Sequence, residues 1–122
     1  MNLHVIVAAL AGCPFDVLDD DRLLDRVLTE AVAAGGFTEL NRYLHRFEPH
    51  GLTGAVVLAE SHLAVHTWPE QGVLFVDVAS CSGEAATRAA FERICEMVPH
   101  ETVRRNALAI APESGSRTVR AR

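Results

Sequence analysis

Apolar and β-branched residues dominate positions 3–9, a run that predicts a buried first strand. Gly12-Cys13-Pro14 breaks it. Asp16, Asp19 and Asp20 then offer cap side chains and favourable charge at a helix start. Leu23, Leu24, Val27, Leu28, Ala31 and Val32 recur at helical spacing and form one apolar stripe, which Gly35-Gly36 ends. Positions 37–47 alternate loosely, as a second strand would. Pro49, Gly51 and Gly54 mark a turn region. Positions 55–59 are continuously apolar, as in a central strand covered on both faces, or covered on one face and lying at an interface on the other. Alternation over 63–67 and an apolar run over 73–78 predict two more strands. Ser82-Gly83 precedes a second helix with Phe91, Ile94, Cys95 and Val98 on one stripe. Positions 102–110 complete the pattern as a last strand.

The predicted order is β-α-β-β-β-β-α-β. It belongs to the α+β class: a two-layer sandwich in which two helices cover one face of a largely antiparallel sheet. Such a chain leaves the other sheet face uncovered, and dimerisation is a remedy. No repeat or linker divides the chain. Residues 1–111 are expected to form one domain and 112–122, polar and basic at its end, a flexible tail.

Composition narrows the function. The chain has 122 residues, 49% hydrophobic and only 6% aromatic, which indicates a globular, mainly aliphatic core. A net charge of −5 argues against general nucleic-acid binding and suits a cationic small substrate. Cys13, Cys81 and Cys95 are odd in number and lack metal or redox spacing, so reduced thiols in a cytoplasmic protein are expected. Leu10-Ala11-Gly12-Cys13 looks like a lipoprotein box, but no Lys or Arg precedes the apolar run, as a secretory leader requires. No stretch approaches the roughly 20 apolar residues of a membrane-spanning helix, and no membrane partner is expected.

The chemistry concentrates in Glu60-Ser61-His62-Leu63-Ala64-Val65-His66-Thr67-Trp68-Pro69-Glu70, which holds a hydroxyl, two imidazoles, two carboxylates and the one Trp. Alone, Ser61 reads as a turn serine and His66 as a structural imidazole. A metal site from His62, His66 and Cys81 lacks a fourth ligand, and none is expected. Together, Glu60-Ser61-His62 and His66-Thr67-Trp68-Pro69-Glu70 resemble the self-cleavage segment of the bacterial and archaeal S-adenosylmethionine decarboxylases. Gly12-Cys13, the segment Phe47-Glu48-Pro49-His50-Gly51-Leu52-Thr53-Gly54, and Val76, Asp77 and Cys81 extend the resemblance in the same order over roughly residues 3–110.

The resemblance implies a proenzyme that makes its own pyruvoyl cofactor. Ser61 would attack the Glu60 carbonyl, moving the acyl group from nitrogen to oxygen. β-Elimination and hydrolysis would then release a β chain, residues 1–60, from an α chain whose first residue, formerly Ser61, carries the pyruvoyl group. That group would form a Schiff base with the substrate amine and act as electron sink while carbon dioxide leaves. The same resemblance implies His66 as the processing base, Cys81 as the proton donor and Thr53, where the family usually has Ser, as a processing hydroxyl. It also implies that Phe47 and Glu70 hold the adenosyl part of the substrate by stacking and ribose hydrogen bonds. Cys13 and Cys95 are expected to be structural.

Spacing adds one expectation. Ser61 and His66 are five residues apart, so on a regular strand they point to opposite faces. They can share a site across a bulge or between subunits. The second option predicts a homodimer, with Ser61 and Cys81 from one protomer and Thr53 and His66 from its partner. Ala79-Ser80-Cys81-Ser82-Gly83 departs from the family's usual Phe-Thr-Cys-Gly, and Ala64 stands where a Ser is common. The leading expectation is decarboxylation of S-adenosylmethionine for spermidine synthesis. The same chemistry on another amino acid, such as ornithine or arginine, and an unprocessed non-catalytic paralogue are the alternatives.

Overall fold

The computed structural model describes residues 1–113. The expected tail at 112–122 therefore lies almost wholly outside the described residues. Among the described residues, six strands and three helices follow in the order β1 (Leu3–Ala11), α1 (Phe15–Leu18), α2 (Asp21–Gly35), β2 (Glu39–Arg46), β3 (Leu52–Leu58), β4 (Ser61–Trp68), β5 (Val73–Ser80), α3 (Glu84–Met97) and β6 (Thr102–Ile110), with a 3-10 turn at Pro69–Gln71. The strands form one sheet in the order β2-β3-β4-β5-β1-β6, antiparallel throughout. The expected α+β sandwich is correct, with α1 as an unanticipated addition.

Local chemistry sets the boundaries. Asp20 caps α2 by accepting from the Leu23 N–H at 3.1 Å. Gly36 closes the helix in the left-handed region (φ 68°), where L side chains are disfavoured. The Phe37 N–H still donates back to the Val32 carbonyl at 3.0 Å. Phe37 is thus part of the helix terminus, with its ring buried, and β2 begins only at Glu39 instead of the expected 37.

Both long helices lie on one sheet face. The α2 stripe Leu24, Val27, Leu28 and Ala31 and the α3 residues Ala90, Phe91 and Ile94 are buried there. The inward halves of the strands meet them: Ile6, Ala8 and Leu10; Val56 and Leu58; Leu63 and Val65; Leu74, Val76 and Val78. Alternation on β3, β4 and most of β5, broken only where Val78, Ala79 and Ser80 are all buried, sends the other halves to a face with no helix among the described residues. Register aligns three rows across it: His45–Thr53–His66–Phe75–Ala9–Arg104, Tyr43–Ala55–Ala64–Asp77–Val7–Asn106, and Asn41–Val57–His62–Ala79–Val5–Leu108. The apolar run at 55–59 is therefore covered on one face only within this chain, and Val57 stays 52% exposed.

Leu10 is fully buried in β1, between β5 and β6. Leu10→Ala should cost about 2–5 kcal/mol, the loss of apolar transfer plus a cavity that a paired strand cannot close. Urea unfolding at matched protein concentration checks this, and a cost below about 1 kcal/mol would contradict the packing described.

Candidate active site

Between β3 and β4 the chain reverses through Ala59 and Glu60 alone. Two-residue hairpin connections need positive φ, usually at Gly or Asn. Neither is present here, and the positive φ falls on Ser61 at 148°. A side-chain-bearing residue held there stores about 1–3 kcal/mol, and such conformations persist only where the surroundings impose them. The surroundings here are specific. The Cys81 N–H donates to the Glu60 carbonyl at 3.1 Å, and the Ala59 N–H donates to the Thr38 carbonyl at 2.9 Å. The Glu60 side chain accepts from the Thr38 N–H at 3.0 Å. Ser61 itself stands opposite Leu58 and Ser80. The structure thus joins Glu60, Ser61 and Cys81, with a main-chain donor on the carbonyl that precedes Ser61.

A second cluster forms at the far end of β4. Thr53 and His66 are cross-strand neighbours, and Thr53 Oγ1 lies 3.0 Å from His66 Nδ1. Beside them a cavity of about 250 Å³ is lined by Phe47, His50, Gly51, Thr53, Thr67, Trp68 and Glu70. Asp19 shapes its rim. Its Oδ1 accepts from the Gly51 N–H at 3.0 Å and from Arg46 Nη1 at 3.1 Å. Gly51 needs its φ of +105°, and a side chain there would press on the Thr67 carbonyl. The Gly51 N–H, with Arg46 adding to it, holds the Asp19 carboxyl below the usual carboxylate range.

The expected site residues therefore form two groups: Glu60, Ser61 and Cys81 in one, Thr53, His66, Phe47 and Glu70 in the other. β4 pairs in unbroken register with both neighbours from Ser61 to His66, so no bulge intervenes between the two. Five residues at roughly 3.3 Å each separate Ser61 from His66 by about 16 Å along the strand. His66 faces the helix-free side, whereas the residues opposite Ser61, Leu58 and Ser80, are buried.

Two residues stand out that the sequence pattern gave no role. His50 Nε2 lies 3.2 Å from Glu70 Oε1 and lines the cavity; its place inside Phe47–Gly54 was the only signal. Asp77 pairs with His62 at 3.2 Å on the open face, a contact set by strand register alone. Trp68 is 43% exposed at the cavity wall and meets the Phe75 ring edge-on at 5.4 Å. In the loop that departs from the family pattern, the Ser82 N–H donates to Ser80 Oγ at 2.9 Å before α3 starts. Among the described residues, no group of three or more His, Cys, Asp or Glu is placed to hold a metal ion.

Comparison with known proteins follows the same boundaries. Residues 4–109 match the family model described as S-adenosylmethionine decarboxylase. The S-adenosylmethionine decarboxylase proenzyme of Persephonella marina is 39% identical over 98 residues, covering 80% of this chain and 73% of that protein. The proenzyme of the same description from Pelotomaculum thermopropionicum is 35% identical and covers 93% of this chain and 91% of its own length. The crystal structure of the adenosylmethionine decarboxylase from Aquifex aeolicus superposes with a TM-score of 0.86 at 31% identity, covering 97% of this chain and 98% of that one.

Two measurements follow from the electrostatics. Burial pushes the Cys13 and Cys95 thiols up, whereas Cys81 is exposed. Thiolate is the reactive form, so at neutral pH a limiting alkylating agent should label Cys81 first, with Cys13 and Cys95 reacting at full rate only in denaturant. Peptide mapping that finds Cys13 or Cys95 labelled as fast would contradict this. The depressed Asp19 carboxyl contributes stability that is fully present above its unfolded value of about 4 and is lost as pH falls through the lower folded value. Asp19→Ala should therefore flatten the acid limb of the stability–pH curve below about pH 4.

Proposed function

The chain belongs to the S-adenosylmethionine decarboxylase family, and from that premise we propose that it cleaves itself between Glu60 and Ser61 and works as a dimer. It is a pyruvoyl-dependent decarboxylase that processes itself and acts on S-adenosylmethionine for polyamine synthesis. The observation that carries the cleavage site is the hairpin: the one positive-φ residue among the described residues other than glycine is the serine following a carbonyl held by Cys81. A relaxed surface serine would have neither feature. The hairpin therefore suits conversion of Ser61 to the pyruvoyl group, with residues 1–60 and 61–122 as the two chains.

Each residue takes a part that its position supports. The Ser61 hydroxyl attacks the Glu60 carbonyl, and the Cys81 N–H stabilises the oxygen as charge develops on it. Thr53, bonded to His66, orients that imidazole and adds a hydroxyl beside it, and His66 removes the Ser61 α-proton. The pyruvoyl group supplies a carbonyl that takes up electron density as carbon dioxide departs. The exposed Cys81 thiol returns a proton to the substrate carbon. Phe47 offers a ring for the adenine. Glu70 offers acceptors for the ribose hydroxyls at the 250 Å³ cavity.

The 16 Å stretch of strand between Ser61 and His66, estimated from about 3.3 Å per residue, supports a shared site, because proton transfer needs hydrogen-bond reach. The helix-free face supports a second copy as the source of the missing half. It exposes Val7, Tyr43, Val57, Phe75 and Leu108, more contiguous apolar side chain than a sheet normally leaves to water. A two-fold dimer packed through this face would place β4 of one protomer near β4 of its partner and bring a foreign His66, which lies on that face, to the β3–β4 turn that carries each Ser61. The three unbonded cysteines support a reducing, cytoplasmic setting. Among the described residues, no helix is long and apolar enough to cross a membrane.

Intact mass should show wild-type protein split into fragments of residues 1–60 and 61–122, and Ser61→Ala and His66→Ala each uncut. Co-expressed, the two variants should restore cleavage of the His66→Ala chain only, because its Ser61 meets the His66 of the Ser61→Ala partner. Cleavage of His66→Ala protein by itself, or none in the mixture, would sink the shared site. Release of carbon dioxide from S-adenosylmethionine by the processed protein, absent with Ser61→Ala, checks the activity.

A further inference from the structure

We propose that the Glu60 carboxylate is a positioning group for self-cleavage, pinning the hairpin so that the scissile carbonyl stays against the Cys81 N–H and Ser61 stays strained. This rests on cleavage between Glu60 and Ser61. β2 and β3 pair as far as Glu39 opposite Leu58, and one step further the Ala59 N–H still donates to the Thr38 carbonyl at 2.9 Å. A regular ladder would next give the Thr38 N–H a main-chain acceptor. The hairpin has already turned away, and the Glu60 side chain bends back to supply that acceptor at 3.0 Å.

Glu60 is consequently held from two strands at once. Cys81, the residue after β5, grips its carbonyl at 3.1 Å, and Thr38, the residue before β2, grips its carboxylate. With only the first grip, the two peptide planes of a two-residue connection are free to tilt together. The tilt would relieve the 148° φ at Ser61 and move the carbonyl off its donor. The second grip blocks that relaxation. It acts through geometry alone, since the carboxylate touches none of the reacting atoms.

The grip also survives the reaction. In the acyl shift the Ser61 Oγ–Glu60 carbon bond forms, the Glu60–Ser61 carbon–nitrogen bond breaks and the hydroxyl proton ends on the nitrogen. In the elimination a base takes the Ser61 α-proton, the Cβ–Oγ bond breaks and Glu60 leaves with the electron pair as a carboxylate. Neither anchor involves a broken bond. The new carboxylate, being anionic, is a better acceptor for the Cys81 N–H than the carbonyl was.

The test follows cleavage by intact mass after a pulse of cell-free synthesis of the full chain. Glu60→Ala should slow cleavage about ten-fold, the scale expected for one charge-assisted hydrogen bond used in positioning. Glu60→Gln keeps an acceptor oxygen and should stay within about three-fold of wild type. Thr38→Ala keeps its N–H and should match wild type. Melting temperatures in the uncleavable Ser61→Ala background should barely differ. Wild-type speed in Glu60→Ala would overturn the proposal. So would Glu60→Gln as slow as Glu60→Ala, or a loss of melting temperature on adding Glu60→Ala. A wild-type chain that never splits would instead remove the cleavage reading on which it stands.

Discussion

The hydrogen-bond ladder of β4 with β3 and β5 is the constraint from which the rest of the site follows. Because it runs unbroken from Ser61 to His66 on both sides, and on to Trp68 with β5, each of these residues has a fixed partner. Ser61 is opposite Ser80, so Cys81 arrives at the Glu60 carbonyl. His66 is opposite Thr53, so a hydroxyl arrives at its imidazole. A slip of one residue would turn all of these to the wrong face and expose Leu63 and Val65. The buried half of β4 thus protects the register that places His62 and His66 on the other face.

Function and folding divide the sheet between them. The helix-covered face carries the buried aliphatic side chains and accounts for stability. The helix-free face carries Thr53, His62, His66 and Asp77 among exposed apolar residues. Such a face does not by itself make a finished surface for a monomer.

Much of this was legible from the residues alone. Both long helices showed as stripes of period 3.6 with glycine or polar ends. The four residues of α1 were too few to show a period. Phe37 looked like strand and instead completes the helix terminus, because the αL turn at Gly36 feeds its N–H back to Val32. The candidate site residues were legible as types in a motif, and counting five positions from Ser61 to His66 gave their opposed faces. What no local pattern encodes is which strand lies beside which. The contacts of Glu60 with Thr38, Asp19 with Gly51 and His62 with Asp77 join residues at least 15 positions apart, and only the strand order brings them together.

That strand order bears on what a cut at Glu60–Ser61 leaves behind. The first fragment would own β1, β2 and β3, and the second β4, β5 and β6. In the sheet they would not sit side by side as two blocks, because β1 lies between β5 and β6. Each piece would be threaded through the other, with β3 against β4 as a second seam. Separating them would mean unzipping three ladders and opening the aliphatic layer between α2 and α3. Such a nicked molecule has no hinge at its nick: the severed bond could vanish from a turn while the two fragments unfold as a single cooperative body.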